Sequence, residues 1–148
     1  MPAIFPAIAV IVFHQLAQIR LFREAADGPV EVLPFFNIVE VWNSGISFGM
    51  FDKLPHGQWI LSALALAITL ALTRWLMVAT DLTTRLALGL IIGGALGNTI
   101  DRMRYGAVAD YLDFHAYGHH WPAFNVTDSA VFVGVLLLLL PIGKTTAR

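Results

Sequence analysis

Leu86-Ala87-Leu88-Gly89-Leu90-Ile91-Ile92-Gly93-Gly94-Ala95-Leu96-Gly97-Asn98-Thr99-Ile100-Asp101 is an apolar stretch that ends in an acid, where a membrane helix seldom tolerates one. The 15 residues from Leu86 to Ile100 make about 22 Å of helix, against roughly 30 Å of bilayer hydrocarbon. Asn98 and Asp101 therefore belong near the membrane rim. A second stretch opens with Phe124-Asn125-Val126-Thr127-Asp128 and runs uncharged from Ser129 to Gly143. It is equally short, which puts Asp128 at or slightly inside the hydrocarbon edge. Asp110 follows the first stretch and Asp128 opens the second, so the two carboxylates arrive from opposite directions at one membrane face.

Composition supports a membrane setting. The chain has 148 residues, of which 57% are hydrophobic and 13% charged, about half the charge of a soluble domain. The net charge of −1 argues against nucleic acid as a partner. With no cysteine, thiolate catalysis, cysteine metal sites and disulfides are excluded. No Lys or Arg precedes the first apolar run and no small-residue cleavage site follows it, so that run reads as a retained helix.

The expected fold is an all-α integral membrane protein, one membrane-embedded domain of four transmembrane helices with a small β ribbon in the first extramembrane loop. The spans are about Ala3 to Ile19, Gln58 to Ala79, Leu82 to Ile100 and Asn125 to Gly143. In the first, His14, Gln15 and Gln18 share a helical face, a polar stripe expected to turn into the bundle. Gly89, Gly93 and Gly97 form a small-residue stripe that lets another helix approach closely. Trp59 and Trp75 stand about 24 Å apart along the second span, matched to the two interfacial belts. Lys and Arg divide almost evenly between the two sides, so charge does not orient the bundle.

Four spans place both termini on one side and both long connections on the other. Val30 to Val41, rich in Val, Ile and Phe and preceded by Asp27-Gly28, reads as a hairpin or ribbon. The second connection, Tyr105 to Trp121, reads as a loop mixing aromatics, acids and histidines.

Among the acids, Glu24, Asp27, Glu31, Glu40 and Asp52 read as solvated loop charges. Asp81 reads as a helix N-cap, and Asp101 as the partner of Arg102 in a structural ion pair. Asp110, Asp113 and Asp128 remain. Two neighbouring carboxylates share one proton near neutrality. The ionised one can then take a proton from water while the other donates to a carbonyl oxygen, which is amide hydrolysis without a covalent intermediate. Three alternatives stand beside this. Asp113, His115, His119 and His120 could wrap a divalent metal, although no HExxH is present. Asp110 and Asp128 could be relay groups of a proton-conducting bundle. The chain could also bind signal peptides without cutting them. A serine–lysine pairing is disfavoured, because Lys144 lies about 22 Å along the helix from Ser129.

Four blocks, in order, resemble the bacterial lipoprotein signal peptidases (signal peptidase II). They are Asn43-Ser44-Gly45-Ile46-Ser47-Phe48-Gly49, Gly93 to Arg102, Gly106-Ala107-Val108-Ala109-Asp110-Tyr111, and Pro122 to Ser129. The resemblance implies an aspartyl endopeptidase of the bacterial plasma membrane. Such an enzyme removes signal peptides from diacylglyceryl-modified prolipoproteins, cutting just before the lipidated cysteine. It implies Asp110 and Asp128 as the catalytic pair, with Asn43, Gly49, Asn98, Arg102 and Asn125 binding substrate or supporting the site. It further implies cytoplasmic termini and a site at the outer face. No cofactor or metal is expected; the expected partners are the prolipoproteins and membrane lipids, and the expected state is a monomer. Asp113 falls outside the motif and is expected to be a loop acid.

Two positions depart from the family's usual pattern. His14-Gln15 stands where the family usually has Asp-Gln, and Thr127 stands where it usually has Ala before the second aspartate. The Thr127 hydroxyl is placed either to hydrogen-bond Asp128 or to face the bundle.

Overall fold

A computed structural model gives the structure of residues 3–45 and 55–139. Among the described residues, four helices, α1 (Ile4–Glu24), α2 (Gly57–Val78), α3 (Leu82–Tyr105) and α4 (Val126–Leu139), combine with four strands, β1 (Val30–Leu33), β2 (Phe36–Asn43), β3 (Val108–Ala116) and β4 (His119–His120). Helices α1 and α2 are long and apolar enough to cross a membrane. Residues 140–143 of the expected fourth span, along with Gly49 and Asp52, lie outside the described residues.

Helix α3 is the hub on which α1, α2 and α4 pack. Its glycines make this possible by bringing backbones together. A Cβ on Gly93 would come within 2.7 Å of the Ala7 Cα in α1, and one on Gly94 within 2.5 Å of the Thr127 carbonyl in α4. Of the stripe read from sequence, Gly89 and Gly93 meet α1 and Gly97 meets Thr127 of α4, while Gly94, outside the stripe, adds to the α4 contact. Most of the α1 and α2 surface is left exposed, including Phe5, Phe13, Leu64 and Leu70, as expected of helices whose solvent is lipid.

Two helices run past their expected ends. An Arg20–Glu24 pair at 3.0 Å, spaced for one helical turn, accompanies the extension of α1 beyond Ile19. Helix α3 continues through Arg102 and Arg104 to Gly106, whose φ of +81° and N–H bond to the Arg102 carbonyl end it, a left-handed C-cap suited to glycine. At its other end Asp81 caps the helix, accepting from the Thr84 N–H at 2.7 Å.

The ribbon expected between Val30 and Val41 is present as β1–β2, but it is half of a larger sheet. The order is β1-β2-β3-β4, antiparallel throughout. The second connection, expected to be a loop, supplies β3 across nine residues. Val108, Tyr111, Leu112 and Phe114 suit a strand, and β2 pairs with it from Phe36↔Phe114 to Asn43↔Val108, with a shift of register between Ile38 and Val41. The pairing partner lies about seventy residues away in sequence, so local pattern alone did not mark the segment. The fold is therefore mostly helical with a small antiparallel sheet built from both connections.

Candidate active site

Three elements meet where α3 ends, β3 begins and α4 begins. The turn at Gly106 sends the chain from α3 directly into β3, which carries Asp110. The backbone N–H groups of Tyr111 and Leu112 donate to the Phe124 carbonyl at 3.1 and 2.9 Å. That bond pattern holds residues 124–125 against β3, so α4 starts beside Asp110.

Asn125 sits immediately before α4. Its Oδ1 accepts from the Asp128 N–H at 3.0 Å, and the Asn125 N–H reaches Asp128 Oδ2 at 3.3 Å. This is a reciprocal capping box, so the second aspartate has a structural duty at the helix start. Its Oδ1 remains available to Asn98, whose Nδ2 donates at 2.8 Å.

Asp110 is almost completely buried. Asn43 Nδ2, from the end of β2, donates to its Oδ2 at 3.0 Å, and Asn125 Nδ2 donates to its Oδ1 at 2.8 Å. Burial pushes its pKa up to about 7, and the neighbouring Asp128 charge pushes the same way. The two asparagine donors and the Arg102 charge oppose the rise without cancelling it. A carboxyl poised near neutrality can exchange a proton in either direction under working conditions.

Of the expected site residues, Asn43, Asn98, Arg102, Asp110, Asn125 and Asp128 all come together. Arg102 is buried and donates from a terminal nitrogen to the Gly45 carbonyl at 2.8 Å, tying α3 to the first connection. Arg102→Ala should lower the apparent Tm and cut kcat/KM at least about tenfold, because it removes both the loop anchor and the cation facing two acids. Thermal unfolding and steady-state cleavage check this; unchanged values for both would remove the role.

A cavity of about 570 Å³ opens beside these groups. Asn43, Asn98, Arg102, Asp110 and Asp128 line one end, while Leu61, Leu64 and Ile68 of α2 and Val131, Phe132 and Val135 of α4 line the rest. A few convergent polar groups at the end of an apolar cleft is the usual form of a binding site.

Two expectations need correction, and one open alternative is decided. Asp101 is not engaged with Arg102: its carboxylate accepts from His14 Nε2 at 2.9 Å, Gln15 Nε2 at 2.7 Å and the Ala109 N–H at 3.2 Å. Successive residues on a helix point about 100° apart, so Asp101 faces α1 while Arg102 faces the cavity. Asp113 is no solvated loop acid. It is buried on β3 and accepts from Asn37 Nδ2 at 3.1 Å and His120 Nδ1 at 2.9 Å, with the His115 ring stacked on His120. Thr127 does not reach for Asp128; its hydroxyl bonds Asn98 Oδ1 and Asn125 Oδ1.

Sequence reasoning missed the buried chain behind the site. The Tyr111 hydroxyl, held protonated by burial that pushes its pKa up to about 12, lies 3.2 Å from His14 Nδ1 and accepts from the Val126 N–H at 3.3 Å. The tautomer that satisfies every atom has Nε2–H donating to Asp101 and Nδ1 accepting from Tyr111. His14 thus links α1 to the approach of β3 and to the start of α4. The signal was the polar stripe on α1; its partners were not legible.

Comparison with known proteins agrees with this architecture. The sequence model of the family described as Signal peptidase (SPase) II matches residues 6–143. A lipoprotein signal peptidase of Beijerinckia indica is 47% identical over 86% of this chain and 77% of its own length. One from a Methylobacterium species is 40% identical over 96% of this chain and 88% of its own. A solved structure described as a bacterial membrane enzyme superposes with a TM-score of 0.82 at 28% identity, covering 99% of this chain and 92% of that one. A second gives 0.79 at 30% identity, over 97% and 94%. With the family match spanning nearly the whole sequence, this chain belongs to the signal peptidase II family.

Proposed function

We propose that Asp110 and Asp128 are the general acid–base pair with which this chain hydrolyses the peptide bond before a lipidated cysteine. As a signal peptidase II it is an aspartic-type peptidase of a bacterial membrane that removes signal peptides from prolipoproteins. The observation that carries the finer reading is Asp110, buried, held by two asparagines and titrating at about 7 next to a second carboxylate. One ionised aspartate takes a proton from water, whose oxygen attacks the scissile carbonyl carbon. The protonated partner donates to the carbonyl oxygen, and the proton taken from water then passes to the leaving amine. The titration belongs to the pair.

Asn43, Asn98 and Asn125 donate and accept without adding charge, which suits a peptide backbone in a dry cleft. Arg102 offsets the negative pair. The apolar flank of the cavity, between α2 and α4, suits acyl chains, which bring about 0.8 kcal/mol per buried CH₂. Four spans, cytoplasmic termini, a site opening at the outer face and a monomeric state complete the proposal. Gly49, matched by motif, is assigned to the support of the site on that basis alone.

The test is cleavage by the purified, detergent-solubilised protein of one prolipoprotein presented with and without its diacylglyceryl group. The lipidated form should be cut before its cysteine and the bare form at least about a hundredfold more slowly. Equal rates on both would remove lipid recognition from the proposal, and a folded protein that cuts neither would overturn it.

A further inference from the structure

We infer that Thr127 is a positioning residue for the aspartate pair, its buried hydroxyl completing the hydrogen bonding of Asn98 and Asn125 when both amides turn their N–H groups to the acids. The inference rests on the proposed pair and deepens it.

Thr127 is fully buried, and its Oγ1 bonds Oδ1 of Asn98 and Oδ1 of Asn125. One hydroxyl carries one proton, so it serves the two carbonyls in alternation. At the far side of each amide, Asn98 Nδ2 donates to Asp128 and Asn125 Nδ2 to Asp110, both at 2.8 Å. The methyl of the same side chain packs on Gly97, which fixes where the hydroxyl points.

An asparagine amide can turn over with little change of shape, exchanging oxygen and nitrogen. Ionised acids require the N–H side, and that orientation leaves two carbonyl oxygens facing the interior. Asn125 Oδ1 has the Asp128 N–H as a second donor at 3.0 Å, whereas Asn98 Oδ1 has a long contact from Asn125 Nδ2 at 3.4 Å. Thr127 supplies the donor that both amides call for in this orientation. Without it, the arrangement that favours ionised acids leaves a buried carbonyl short of a partner, which is costly. The titratable groups that act on the pair from the elements around it are Arg102 on α3, His14 on α1 and Tyr111 on β3. None of these touches the Thr127 hydroxyl among the described residues, so a substitution there addresses the amides.

The experiment measures kcat, KM and the pH dependence of kcat/KM on a lipidated substrate for the full chain. Thr127→Val and Thr127→Ala both remove the hydroxyl, and Val keeps the bulk against Gly97. Thr127→Ser keeps the hydroxyl and removes the methyl. Weaker amide donation to the two acids raises the pH at which the pair ionises, so the acidic limb should move upward by about half a pH unit or more in Val and Ala. Their kcat should fall about three- to tenfold with KM nearly constant. Ser should keep the wild-type limb even where its Tm drops. Val and Ala limbs that overlay wild type, or a Ser limb displaced like theirs, would overturn the inference. Asp110→Asn and Asp128→Asn run in the same assay; activity retained there would sink the pair itself, a separate failure.

Discussion

Asp110→Asn and Asp128→Asn should each lower kcat by about 10²- to 10⁴-fold in a protein that still folds. Asparagine keeps the shape of the acid and can hold neither half of the proton exchange. The cost is therefore expected in kcat, read from single-turnover cleavage of a lipidated prolipoprotein, while substrate capture by the apolar cavity persists. Either variant retaining more than about a tenth of wild-type kcat would exclude proton transfer by that residue.

The same substitution at Asp110 carries a second, independent signature. Its carboxyl is raised to about 7 in the folded protein, above the ordinary carboxylate value. Its contribution to stability is thus fully present at pH below the unfolded value and is lost as pH rises through about 7. Wild type should lose stability between about pH 4 and 7 on this account, and Asp110→Asn should not. The difference in apparent Tm, variant minus wild type, becomes more positive across that window. Its ceiling is ~4 kcal/mol, reduced by the share that belongs to the pair with Asp128. A difference that stays flat from about pH 4 to 7 would show that Asp110 does not titrate there.

The second large effect lies behind the site. His14→Ala should cost about 3–5 kcal/mol of stability, or on the order of 10 °C in apparent Tm. The substitution leaves the fully buried Asp101 without its closest imidazole donor and the Tyr111 hydroxyl without its acceptor. Asp101 also holds the Ala109 N–H, one residue before Asp110, and Tyr111 holds the Val126 N–H at the start of α4. Activity should therefore fall along with stability, since both carboxylates are placed by backbone that this chain secures. A double substitution with Asp101→Ala should cost clearly less than the sum of the two singles, because the residues share one interaction. Scanning fluorimetry on the native tryptophans measures all three; strict additivity would show that the His14–Asp101 contact contributes little.

The resemblance noted at His14 acquires a physical meaning here. Where the family's usual pattern has an acid, this chain places an imidazole opposite Asp101. The Asp101 carboxylate is satisfied by His14, Gln15 and the Ala109 N–H, without a second carboxyl to share its burial. Thr127 likewise finds a use, in the amides beside the pair rather than in Asp128 itself.

What the sequence by itself determined follows from local physics. Long apolar runs fix helices, because backbone polar groups in lipid must be satisfied within the segment. Gly89, Gly93 and Gly97 announce close helix contacts, Asp81 marks a helix start, and the Val- and Phe-rich run after Gly28 is a ribbon. The ordered motifs bring Asp110 and Asp128 forward as a pair. The tertiary structure decided the rest, because those choices depend on partners far away in the chain. Strand β3 exists through its pairing with β2, and Asp113 is buried through Asn37 and His120. Asp101 turns to α1 and Arg102 to Gly45, although the two are neighbours in sequence. A charged or polar side chain inside a bundle goes where a partner can satisfy it, and only the assembled fold says where that partner is.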